Sequence, residues 1–367
     1  MTECLTAKIL KEIKTDLWTY LSNTEKPILM YGMGNGADKI LNVCERYGIA
    51  VSDFFASDGF VRGHFFHGKR VLSYSEVKEK YGAENIIVLL SFASSLPAVL
   101  ETIYKVADEC ELYAPDVPVC GDNLFCREFF EANREKIDEA RSLFSDELSC
   151  EIFDNVINYK LTGDIKYLRM AQTDKKETYV DILRAKDIKN ALDAGAYNGD
   201  TVRELAEYAP KLEKIIALEP DRRNFRKLSE YAESETRFSV TPIKSAAWNE
   251  STTLLYDASG NRNAGVNTGA SKKVEVDAVS IDSLTSDGVD YVKYDVEGAE
   301  KEALLGTKNT INTYRPSLLV SAYHRSEDIF ELPMLIKSLE PAYKLYLRRQ
   351  KYIPAWDLNI LAVKEEI

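Results

Sequence analysis

The sequence predicts an α/β fold of two domains, each built on a parallel sheet, joined by a helical bridge. Three observations carry this expectation. Short apolar runs alternate with helical patterns over 28–113 and again over 188–324, whereas 121–175 shows helical periodicity alone. Each α/β half opens on a glycine-bearing turn between a strand and a helix, GMGNGA at 32–37 and DAGAYNGDT at 193–201. All six cysteines (Cys4, Cys44, Cys110, Cys120, Cys126 and Cys150) fall in the first part of the chain, as if two different domains had been joined. Strands alternating with helices at this spacing form parallel sheets with helices on their faces. The expected boundaries are 1–120, 121–175 and 176–367.

A chain of 367 residues is long enough for two cores, and 45% hydrophobic with 29% charged residues is ordinary for a globular protein. The net charge of −12 disfavours nucleic acid or an anionic membrane, both of which need a basic face. The one local basic cluster (Arg222, Arg223, Arg226, Lys227) reads as the solvated face of a helix. No run approaches the ~18 apolar residues of a membrane span, and the N-terminus lacks a signal-like apolar stretch. The expected compartment is cytoplasmic, with reduced thiols. Cys120 and Cys126 with His64 and His67 match no zinc-ligand spacing.

Taken in order, residues 4–22 read as one helix with apolar positions at Leu5, Ile9, Ile13 and Leu17. Strands follow at Ile28–Tyr31, Val51–Ala56 and Asn85–Ser91, with helices to Tyr47, from Ser75 to Tyr81 and from Leu96 to Ala107. Glu111–Tyr113 begins a last strand. GMGNGA satisfies a G-x-G-x-x-G/A pattern, and Asp58 follows at about the distance of a ribose-binding acid. Gly32, Gly34 and Asp58 are therefore candidates for a nucleotide, either NAD or a nucleotide-sugar. The domain is short for a whole dinucleotide, and tight strand-to-helix packing is the other use of such glycines.

Helices are expected at 123–134, 137–144 and 146–162. They read as an interdomain bridge or, alternatively, as a substrate lid in which Tyr159, Tyr167 and Tyr179 stack on an acceptor. The stretch 258–272, rich in glycine and asparagine, reads as a long loop near the acceptor.

The chemistry gathers in the second half. Asp193 ends a strand and leads into a turn where Gly195 and Gly199 permit close approach of a ligand. A carboxylate there repels pyrophosphate but suits a cation or a hydroxyl-rich ligand. S-adenosylmethionine, with its ammonium, sulfonium and ribose diol, meets that demand. A second strand at 214–218 ends in Glu219-Pro220, where doubly wound folds hold ribose hydroxyls. The expected cofactor set is Asp193, Gly195, Ala196, Tyr197, Gly199, Glu219 and Pro220, with Ala246, Ala247 and Trp248 flanking an adenine. Asp295 and His324 end the next two strands and face the acceptor. His324 is the candidate general base and Asp295 its orienting partner or the acceptor's ligand. Asp295, Glu297 and His324 could instead hold a hard cation such as Mg²⁺. Glu300 reads as helix surface or a cap partner. Strands at 343–347 and 358–363 form a closing hairpin.

DAGAYNGDT, Glu219-Pro220, VDAVSIDSL (276–284), DVEGAE (295–300) and SAYHR (321–325) together resemble the FkbM family of S-adenosylmethionine-dependent methyltransferases. The likeness spans roughly 175–365. It implies a seven-stranded class I methyltransferase sheet and methyl transfer to a hydroxyl oxygen of a sugar, glycan or polyketide-type acceptor. The N-terminal half resembles the Rossmann-like domains of bacterial sugar-modifying enzymes. Two rival readings are an NAD-dependent oxidoreductase using GMGNGA and a non-catalytic module that binds a nucleotide-sugar.

Overall fold

The computed structural model describes residues 4–61, 63–257 and 273–365. Two open sheets organise it. The first holds β1 (Ile28–Tyr31), β2 (Val51–Ala56), β3 (Leu72–Ser73), β4 (Ile87–Leu90) and β5 (Glu111–Tyr113) in the order β3-β2-β1-β4-β5, every pairing parallel. β1 and β4 are apolar and buried along their whole length, as central strands covered on both faces must be.

Residues 4–22 form two helices, Leu5–Glu12 and Leu17–Ser22, where one was expected. The break is Asp16. One of its carboxylate oxygens caps the second helix through Thr19 N–H at 2.8 Å, and the other accepts Arg127 N–H at 2.7 Å. A buried cap outweighs the continuous apolar spacing.

The GMGNGA turn is filled by the protein itself. A Cβ on Gly36 would lie 2.1 Å from the Ser91 carbonyl oxygen, and one on Gly32 2.7 Å from both the Phe92 ring and Ser91 Oγ. These glycines let the helix Asn35–Arg46 press against the end of β4. Asp58 is likewise spent: its carboxylate accepts Ser75 N–H at 3.0 Å and Ser75 Oγ–H at 2.7 Å. The expected grip of Asp58 on a ribose is replaced by this cap, and only Gly34 faces open space.

The second sheet holds β6 (Asn190–Ala194), β7 (Lys214–Leu218), β8 (Ser239–Ile243), β9 (Tyr291–Tyr294), β10 (Ser317–Ser321), β11 (Tyr343–Arg349) and β12 (Leu358–Lys364). Its order is β8-β7-β6-β9-β10-β12-β11, with β12 antiparallel to both neighbours. Strand order reverses between β6 and β9, the switch point where open α/β sheets hold ligands. A small sheet of Ala246–Ala247, Thr252–Asp257 and Lys273–Val279 lies alongside. The loop expected at 258–272 lies outside the described residues.

The helices Arg127–Ser142 and Glu147–Thr162 are more than a bridge. The first runs unbroken through 135–136, where a gap was expected, because nothing there interrupts a helix. Phe130, Ile137, Phe153, Val156 and Ile157 share one core with Leu192, Val292 and Leu318 of the second sheet. Tyr159, Ile165 and Leu168 enter the core of the first domain, together with Ile353 and Ala355 from the far end of the chain. Tyr159 and Tyr179 are buried and Tyr167 packs on the first domain's core, so none of the three forms a stacking lid. The cluster of Arg222, Arg223, Arg226 and Lys227 is exposed on its helix, as expected.

The two sheets meet at the loops beyond their strand ends. Ser94 and Ile353 exchange backbone hydrogen bonds of 2.9 and 3.0 Å, and Cys120 N–H donates to the His324 carbonyl at 3.1 Å. Among the described residues no helix is long and apolar enough to cross a membrane.

Candidate active site

A cleft of about 330 Å³ opens at the switch point. Such a volume falls within the ~300–1,000 Å³ of small-molecule sites. Its floor is the turn after β6. Gly195 has φ +89°, and a Cβ there would come within 1.9 Å of the Asp295 carbonyl oxygen. No other residue lets the turn lie this close to the end of β9. Gly195 and Ala196 N–H both donate to the Leu218 carbonyl, at 3.1 and 2.9 Å, which ties the turn to β7.

Of the expected cofactor set, Gly195, Tyr197, Glu219, Pro220, Ala246 and Ala247 line this cleft. Ala196 is buried beneath the turn, and Gly199 caps the next helix with its α-carbon against Tyr231. Trp248 packs toward Leu254 and Val276 in the small sheet, away from the cleft. These three support the cleft and do not line it. Glu219 ends β7, only 5% exposed, and accepts Asp221 N–H at 2.8 Å. Burial is the main reason its carboxyl is pushed up to about 7, with the Asp221 N–H opposing.

Asp193 departs most from expectation. It is 2% exposed and does not line the cleft; the cation it holds is Lys293, whose Nζ lies 3.0 Å from Asp193 Oδ1. Thr201 Oγ1–H donates to the other oxygen. β6 and β9 pair with Asp193 opposite Lys293, so register alone brings the charges together. Lys293 Nζ also donates to the Gly195 carbonyl at 3.3 Å and sits 3.8 Å from Asp295 Oδ2. Burial disfavours its charge, but Asp193 and Asp295 outweigh burial and hold the ammonium well above its usual range. Lys293 thus braces the glycine turn and the acid at the end of β9 together. The sequence did offer a signal: a lysine inside an apolar central strand is an anomaly that needs a partner.

Asp295 does line the cleft, with its side chain 30% exposed. Tyr323 Oη–H donates to its Oδ1 at 3.0 Å. Burial would raise its pKa, but Lys293 and His324 hold it below the ordinary carboxylate value.

His324 lines the same wall but does not meet the premises of a general base. The residue is 1% exposed, with Nδ1 2.9 Å from Glu300 Oε1 and Nε2 3.5 Å from both Asp295 Oδ1 and Glu297 Oε2. Burial opposes its charge, but Glu300 first, then Glu297 and Asp295, raise the imidazole to about 10. A protonated ring has no lone pair to receive a proton at neutral pH. Glu300, expected on a helix surface, is 1% exposed and accepts Val296 N–H at 2.9 Å. Glu297, whose carboxylate tip still reaches the cleft, is pushed up to about 8, chiefly by burial.

Facing Asp295 is a wall the sequence reading did not anticipate. Tyr323 stacks near Trp356 (ring centroids 6.3 Å apart), and Trp356 meets Tyr352 at 5.6 Å. All three line the cleft, and Ser95 and Val119 of the first domain close its far side. Tyr352 and Trp356 lie in the β11–β12 turn and Tyr323 just after β10, where their isolated positions give no periodic signal.

A seven-stranded sheet with its last strand reversed, opening at the switch point onto a glycine turn and an acid, has the layout of a class I methyltransferase sheet. Residues 193–353 match the family model described as the methyltransferase FkbM domain, and the chain is a methyltransferase that carries this domain. The structure of methyltransferase FkbM from Methylobacillus flagellatus KT matches over 98% of this chain and 97% of its own, with TM-score 0.71 and 18% identity. That likeness extends the shared fold to the N-terminal half. An rRNA methylase from Streptococcus thermophilus (TM-score 0.35, 12% identity) matches 52% of this chain and 95% of its own. Fibrillarin from Aeropyrum pernix, in complex with natively bound S-adenosyl-L-methionine (TM-score 0.31, 14% identity), matches 49% of this chain and 68% of its own. No curated protein matches the chain.

Proposed function

We propose that the protein transfers a methyl group from S-adenosylmethionine to a hydroxyl oxygen of a sugar, glycan or polyketide-type acceptor in the cytoplasm. The observation that carries this reading is the pairing across one cleft of a ribose-binding acid, Glu219, with an ionised acid, Asp295. Gly195 and Tyr197 border the methionine part, Glu219 accepts the ribose diol, and Ala246 and Ala247 flank the adenine. The sulfonium already activates the methyl, so the protein has to align the acceptor and take its proton. Asp295 is the residue for that task, because it is held ionised at the cleft and Tyr323 fixes its orientation. The aromatic wall of Tyr323, Tyr352 and Trp356 suits a sugar ring, whose C–H face packs on aromatic side chains. A net charge of −12 speaks for an uncharged or small acceptor rather than nucleic acid.

The test is calorimetric titration with S-adenosylhomocysteine. Glu219→Ala should weaken binding by about 1.5–3 kcal/mol, the worth of a hydrogen bond to a charged group. NAD should give no heat and no thermal shift. Binding of NAD, or S-adenosylhomocysteine affinity unchanged in Glu219→Ala, would reject the reading.

A further inference from the structure

Lys175 and Asp357 lie outside the segment matched by the family model, one before it and one after it, yet both line the cleft. The backbone brings them there. Thr173 N–H and Oγ1–H both donate to the Arg349 carbonyl, at 2.8 and 3.1 Å, and Gln350 N–H donates to the Asp357 carbonyl at 3.0 Å. Both residues are thus fastened to the end of β11, at the opposite edge of the sheet from Glu219 and Ala246 on the β7–β8 side. Of the described residues that line the cleft, Lys175 is the only lysine or arginine, whereas Asp200, Glu204, Glu219, Asp295, Glu297 and Asp357 are acids. The other cation there, the His324 ring, is closed in by Glu300, Glu297 and Asp295. Lys175 Nζ donates to Glu204, which stands on the helix Asp200–Tyr208 that leads off the glycine turn. Both side chains of this pair are partly exposed, so the pairing is weak, and the ammonium keeps further donors for a ligand. Burial disfavours its charge, but Glu204 and then Asp357 outweigh burial and hold it protonated.

A carboxylate that enters so acidic a cleft needs a cation to meet it, because a charge stripped of water and left unpaired is costly. A phosphate asks for more than one lysine, and the acids beside Lys175 would repel it. An α-amino acid end carries a carboxylate next to an ammonium, and that pair of charges matches a lone lysine set among carboxylates. We propose that Lys175 binds the α-carboxylate at the methionine end of the cofactor, with Glu204 and Asp357 flanking the place of the α-ammonium. The assignment rests on the reading of this cleft as an S-adenosylmethionine site. It adds to that reading a specificity residue from outside the segment that the family model matches. Glu219 and the alanines at the other end of the cleft see only the nucleoside, so Lys175 is what tells the whole cofactor from a nucleoside thioether.

The experiment is calorimetric titration of the full chain with two ligands, S-adenosylhomocysteine and methylthioadenosine, which has the same adenine, ribose and sulfur but no amino-acid end. The parent should bind S-adenosylhomocysteine the more tightly. Lys175→Met should weaken S-adenosylhomocysteine by roughly 10–100-fold, the effect of losing a hydrogen bond between charged groups, and leave methylthioadenosine at the parental affinity. Lys175→Arg keeps the charge and should lie closer to the parent than Lys175→Met does. Unchanged S-adenosylhomocysteine affinity in Lys175→Met overturns the assignment. So does an equal loss of both ligands, the mark of a lysine that only supports the structure. A parent that binds neither ligand would instead overturn the cofactor reading itself, and this assignment with it.

Discussion

The two glycine turns look alike in sequence and do opposite work. In the first domain Gly32 and Gly36 admit Ser91 and Phe92, and Asp58 is spent on capping a helix. In the second, Gly195 lets the turn lie on the end of β9 while the space above it stays open and Glu219 faces the cleft. Glycine spacing therefore reports only that something comes close. What comes close, neighbouring backbone or a ligand, is decided by the end of the adjacent strand and by whether the next acid already has a partner.

The largest effect that tests this contrast lies in the buried pair beneath the second turn. Asp193→Asn should leave Lys293 buried without its partner and destabilise the fold by about 3–5 kcal/mol, measured by urea unfolding. Asp193→Leu combined with Lys293→Met should recover much of that loss, since replacing both partners removes the stranded charge. A mild Asp193→Asn phenotype would mean that the pair is not what holds the turn.

Gly195→Ala should weaken S-adenosylhomocysteine at least 100-fold in calorimetry, because its Cβ collides with the Asp295 carbonyl. Gly34→Ala, at φ +95° but in open space, should lower the melting temperature and leave that affinity alone. The reverse pattern would put the cofactor in the first domain.

A smaller effect is a pH dependence. Glu219 must be ionised to accept two ribose hydroxyls, and without ligand its pKa stands at about 7. Affinity should hold above that pH and weaken as pH falls through it, by up to about tenfold per unit. Glu219→Gln should flatten this limb; a parental enzyme with no such limb would leave Glu219 outside the ribose site. The smallest effect belongs to the first domain: Asp58→Ala should cost about 1 kcal/mol, as a lost helix cap does, with no change in affinity for either NAD or S-adenosylhomocysteine.

Most strands were legible because ILMY, KIIAL and YVKY are short apolar runs between turns, and the order of the motifs carried the sheet. Gly195 and Glu219 were legible as cleft residues for the same reason: they sit at strand ends, a position that local pattern reveals. The environment of His324 was not. His324 does end a strand, but its protonation is set by Glu300, Glu297 and Asp295, and how closely these surround it depends on packing. Asp193 was assigned to a ligand because its true partner, Lys293, lies one hundred residues away and meets it only through the register of β6 and β9. Local spacing cannot carry that information.

The placement of β12 sets the limits of what can be cut from this protein. The family match ends at residue 353, yet β12 (Leu358–Lys364) lies between β10 and β11 and pairs with both. A fragment of 193–353 would leave β11 with no sheet to join, and without the helices Arg127–Ser142 and Glu147–Thr162 one face of the sheet would be bare. Ile353 would lose the first domain's core on which it rests. The segment recognisable by descent is therefore smaller than the cooperative unit that folds, and a transplanted catalytic module would have to carry nearly the whole chain with it.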